Sequence, residues 1–145
     1  VRAMSFGGVN GYVLPGLSQP LNAPASAKAP LADQPLSFAK GLLVEPLPKL
    51  CAQTKTTVKE VFDDLAEVRE RGFATCVNEN EAGIAAVACP VYLTGSEVIH
   101  AIGVTAVAER FPMARLEEYA KILITTAAAL SRTNKETPES AKAAE

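Results

Sequence analysis

The segment DLAEVRERGFATCVNENEAGIAAVACPVYLTGSEVIHAIGVTAV, residues 64–107, decides the fold. It opens inside an amphipathic helix, closes that helix on Arg71-Gly72, and runs through the turn Asn78-Glu79-Asn80-Glu81-Ala82-Gly83 into two long apolar segments. Upstream, Thr57-Val58-Lys59-Glu60 reads as a capping box, in which hydroxyl and carboxylate satisfy free amides reciprocally. Val58, Val61, Phe62, Leu65 and Val68 then fall at helical spacing, and Gly72 suits the left-handed position that ends a helix. Lys59, Asp63, Glu67 and Glu70 occupy the solvated side. Strands are predicted over 73–77, 84–93 and 98–107, the last two joined through Thr94-Gly95-Ser96-Glu97 as an antiparallel hairpin. Both long strands are apolar on each face, so the sheet is covered on both sides or has one face lining a pocket.

Working outward, Leu116, Tyr119, Ala120, Leu123, Ala127 and Leu130 predict a second amphipathic helix of about 18 residues, starting near Met113 after Pro112. Residues 133–145 are polar and Ala-rich with Pro138 and read as a frayed or disordered tail, leaving 1–132 as one domain. Seven of the ten prolines fall within the first 48 residues and exclude long helices there. Short extended pieces are predicted over 1–5 and 12–14, with a turn at Gly7-Gly8. Short helices are predicted over 23–29 and 36–43, the latter capped by Asp33. Strands with helices between them, and a last helix after a hairpin, give an α+β class with helices packed on an antiparallel sheet.

At 145 residues and 48% apolar composition, with mean hydropathy +0.13, the chain can build one core. A net charge of −2 without clustered basic residues lacks the footprint of a nucleic-acid surface. Cys51, Cys76 and Cys89 fit neither a disulfide framework nor the short pairs of a zinc site, so reduced thiols in a cytoplasmic protein are expected, with no metal and no cofactor. Neither a membrane span nor a signal peptide is indicated.

The run Leu65-Ala66-Glu67-Val68-Arg69-Glu70-Arg71-Gly72-Phe73-Ala74, followed by Gly83-Ile84-Ala85-Ala86-Val87-Ala88-Cys89-Pro90-Val91-Tyr92, resembles the effector-binding domain of IclR-type transcriptional regulators. Gln19-Pro20-Leu21-Asn22-Ala23-Pro24-Ala25-Ser26-Ala27-Lys28-Ala29 resembles an upstream segment of that family, and Leu116 onward its closing helix, so the resemblance covers residues 1–132. It implies a GAF-like or profilin-like fold, homodimers or homotetramers, and a small organic effector of the carboxylate or aromatic-acid class. In the family, a winged helix-turn-helix domain and the first effector-domain strands precede the point where this sequence begins. DNA contact is therefore expected only through a domain absent from it, and this sequence is expected to be a fragment or truncated relative.

Carried over position by position, the family's effector site falls on the backbone amides of Ala25 and Ser26 and on Cys76, Ala86, Gly103 and Thr105. Cys76 stands where an acidic residue is usual, and Ala86 and Gly103 lack polar side chains found in acid-binding members. Ala27 replaces a usual glycine at the helix start. These departures favour a more apolar ligand over a strongly acidic one.

Each candidate has a blander alternative. Gly103 and Thr105, two apart, share a strand face with Ile99, Ala101 and Val107. Small residues there either floor a pocket, with one hydroxyl and helix-start amides to orient a ligand, or let a helix pack closely. The competing functional reading is a structural dimerisation module whose pocket has filled in. Cys76, Cys89 and His100 could make a thiol-dependent site, but Cys89 and His100 are predicted on faces opposite Ala86 and Gly103, and buried cysteines usually serve as small hydrophobes. His100 is read as a partly buried or interface histidine. Asp63-Asp64 and Glu79/Glu81 are read as solvated carboxylates, and Gly7-Gly8 lacks the context of a phosphate loop.

Overall fold

The computed structural model describes residues 18–93 and 99–133. The expected capping box is present: Thr57 accepts from the Glu60 amide at 3.2 Å, and the Glu60 carboxylate accepts from the Thr57 amide at 3.1 Å. It starts helix α3, Val58–Arg71, which Gly72 ends at φ 81°. The two proline-limited helices before it are α1, Ala25–Ala32, and α2, Leu36–Leu42. Pro24 is the N-cap of α1, where a missing N–H costs nothing.

Asp33 does not cap α2. Pro35 holds that position without a side-chain cap, and Asp33 instead ends α1 and accepts a hydrogen bond from the Tyr92 hydroxyl. Strands β1, Ala74–Val77, β2, Ile84–Val91, and β3, His100–Val107, form an antiparallel sheet in the order β1-β2-β3. Helix α4, Met113–Thr133, starts where expected and runs longer than the apolar pattern indicated. The extended pieces and turn expected within 1–17, the hairpin loop 94–97, and the tail beyond Thr133 lie outside the described residues.

Strand alternation divides the core. Ala74, Cys76 and Ala88 pack with Ala29, Leu31, Val61, Leu65 and Val68 on the α1/α3 side, and Ala86 joins them. Ala85, Val87, Cys89 and Val91 pack with Leu116, Ala120, Leu123 and Ala127 of α4 on the other. Both faces are thus covered over β1 and β2, and β3 is left more open. Ala101, Gly103 and Thr105, on the α1 side of β3, remain exposed.

Candidate functional site

Register brings the predicted strand positions together. Cys76 pairs with Ala86, and Ala86 pairs with Thr105, so the three stand in one row across the sheet. Gly103, opposite Ala88, is two residues from Thr105 on the same face. Helix α1 packs over β2 and β3, and its first residues are Ala25 and Ser26. The earliest amides bonded within α1 are those of Ala27 and Lys28, both donating to the Pro24 carbonyl; helix geometry leaves those of Ala25 and Ser26 without an intrahelical acceptor.

The floor of the row differs from end to end. Cys76 is buried, Ala86 is half-buried, and Gly103 and Thr105 are exposed. Among the described residues, no side chains close over Gly103 and Thr105, which the filled-in alternative would require. The glycine also has a different cause from the close helix packing considered above. A Cβ at 103 would meet the Val87 carbonyl oxygen at 2.7 Å and Ala88 Cβ at 3.1 Å, both on the neighbouring strand. Two depressions lie away from the row, one of about 380 Å³ between Cys89, Pro90, Tyr92 and α4, the other of about 90 Å³ among α1, α2 and α3.

Cys76 and Cys89 lie on opposite sides of the sheet and cannot act as a pair. Burial pushes the Cys76 thiol up despite hydrogen bonds from the Asn80 and Glu79 amides, and pushes Cys89 up to about 11. Neither is poised as a thiolate. His100 is exposed at the start of β3 rather than partly buried. Among the described residues, no group of His, Cys, Asp and Glu is placed to hold a metal ion, and no helix is long and apolar enough to cross a membrane.

Two carboxylates read as solvated are not. Asp64 and Glu79 are buried and share the ammonium of Lys28, itself fully buried, at 2.7 and 2.8 Å. Lys55 approaches the same two oxygens at 3.3 and 3.0 Å. Burial alone would raise the Asp64 carboxyl, but the charge and hydrogen bond of Lys28, reinforced by Lys55, hold it below the usual carboxylate value. Burial alone would lower the Lys55 ammonium, and Glu79 and Asp64 outweigh it in the other direction. Asp63 and Glu81 are exposed, as expected. The sequence held a signal for Asp64: it lies three residues after Val61 and four before Val68, on the buried stripe itself. Lys28 and Glu79 carried none of that kind.

The family described as "Bacterial transcriptional regulator IclR C-terminal" matches residues 9–132. The chain belongs to this family. Among curated relatives it is similar to the probable transcriptional regulator SauR of Cupriavidus necator, 35% identical over 106 residues that make up 72% of this chain and 40% of SauR. It spans less than half the length of the curated relatives it matches. Among solved structures, the C-terminal domain of the Escherichia coli regulator KdgR superposes with TM-score 0.71 at 30% identity, covering 79% of this chain and 71% of that one. The inducer-binding domain of an Acinetobacter PobR double mutant, in complex with 3-hydroxybenzoic acid, shares the fold with TM-score 0.72 at 22% identity, covering 84% of this chain and 74% of that one. The antiparallel α+β architecture is that of IclR C-terminal domains.

Proposed function

We propose that this IclR C-terminal domain is a small-molecule effector-sensing and oligomerisation domain acting without bond chemistry, in the cytoplasm, and reaching DNA only through a separate domain of its regulator. The observation that carries the reading is the row Cys76-Ala86-Thr105, aligned by register beneath α1 and open at its β3 end. The floor carries only small side chains, Thr105 supplies one hydroxyl, and the Ala25 and Ser26 amides are suited to a carboxylate or carbonyl. The effector is a small organic acid, with an aromatic or otherwise apolar body matched to a floor of alanine and glycine. The 3-hydroxybenzoic acid held by PobR has this chemistry.

Thermal-shift screening of small carboxylates and aromatic acids, 3-hydroxybenzoate included, tests the reading. One class is expected to stabilise the protein, by about 2.7 kcal/mol at a hundred times its Kd. Absence of any stabilising class removes the sensing role. Thr105→Val deletes the hydroxyl and keeps the shape, so a polar effector should bind about 2- to 10-fold more weakly. Unchanged affinity in isothermal titration would move the site away from β3. Sedimentation velocity checks the oligomer, expected as dimer or tetramer.

A further inference from the structure

We propose that Lys28, Lys55, Asp64 and Glu79 are positioning residues for the sensing site. Their buried ionic knot fixes α1 and the turn after β1 against each other, so opening it displaces the Cys76 end of the row. The inference rests on the sensing role for its purpose, although the knot itself is independent of any ligand.

The four side chains come from four separate parts of the chain: α1, the irregular stretch 43–57, α3, and the turn 78–83. Two cations and two anions balance, and side-chain exposure is 0% for Lys28, 8% for Asp64, 9% for Glu79 and 29% for Lys55. Each carboxylate touches both lysines, so losing one ammonium loosens two segments at once.

Both walls of the site depend on these contacts. Lys28 lies one turn beyond the Ala25 and Ser26 amides, so its anchorage sets the rotation of α1 about its axis. Glu79 sits in the turn whose amides, at Asn80 and Glu79, reach the Cys76 sulfur. The same turn is held from the irregular stretch, since the Thr54 hydroxyl donates to the Glu79 carbonyl at 2.6 Å. Asn22, three residues before the start of α1, donates from Nδ2 to the Pro48 and Lys55 carbonyls at 2.9 and 2.7 Å. The stretch 43–57 therefore joins the approach to α1 to the turn, and Lys55 carries that join into the knot.

Thiol labelling of the intact chain, followed peptide by peptide, tests this without a ligand, because Cys76 and Cys89 are buried on opposite sides of one sheet. In Lys28→Met, local opening should accelerate Cys76 relative to Cys89 by about tenfold or more. Equal acceleration of both thiols means general destabilisation and overturns the proposal, as does no change. Lys55→Met, at the partly exposed corner, carries the same test if Lys28→Met does not fold. The Cys76 to Cys89 ratio should then rise about threefold, and an unchanged ratio overturns the proposal. A failed ligand screen would end the sensing role without moving these ratios, so the two outcomes remain distinct.

Discussion

Position 103 is constrained by its neighbour in the sheet. A β-carbon there would stand 2.7 Å from a carbonyl oxygen of β2, and backbone in a paired strand cannot swing aside as a side chain can. Gly103→Ser, which would add a hydroxyl to the floor, is expected to cost about 1–3 kcal/mol through forced displacement of the strands. Urea denaturation against wild type measures it, and a neutral result would mean the two strands part freely. The cysteines differ just as sharply. Cys51 is half-buried, whereas Cys76 and Cys89 are closed in and disfavour the thiolate. Native protein at neutral pH should therefore lose one thiol quickly to an alkylating reagent and two slowly. Rapid loss of all three would contradict the packing.

At the scale of elements, α3 joins a solvent-facing cap to a buried ionic group. Thr57→Ala removes the acceptor for the Glu60 amide and should cost about 1 kcal/mol. Lys28→Met leaves Asp64 and Glu79 buried with only the partly exposed Lys55, and the loss should be larger, about 3–5 kcal/mol. Thermal melts of the two variants rank them, and a cap mutant as damaging as the lysine mutant would refute the ranking. The contrast also marks what could be read from the sequence. The box and the Gly72 terminus are local rules, satisfied by residues within one or two turns, and both appear as anticipated. The partners of Asp64, Lys28 and Lys55, lie 36 and 9 residues away. Helical periodicity could have flagged Asp64 as buried, but only the arrival of α1 and of the stretch 43–57 supplies its counter-charges.

Across the whole molecule, these groups couple stability to pH. The folded Asp64 carboxyl titrates below its unfolded value, so its contribution is complete above the unfolded pKa of about 4 and disappears as pH falls through the folded value. Lys55 is raised, so its contribution is complete below about 10.4 and disappears as pH climbs through its folded value. The urea midpoint should accordingly be flat near neutrality and fall toward both extremes. In Asp64→Asn the acid limb should flatten, and an unchanged acid limb would locate that sensitivity elsewhere. Fold class was legible because apolar alternation and helix signals agree, and the alignment of Cys76, Ala86 and Thr105 follows from family correspondence and regular pairing. The exposure of β3 was not legible, since strand periodicity names two faces without saying how far a covering helix extends. The row itself is a ruler. Adjacent strands lie about 4.8 Å apart, so β1 to β3 spans about 10 Å. A benzene ring bearing one carboxylate fits within that width, and a longer molecule laid along the row must overhang the outer margin of β3.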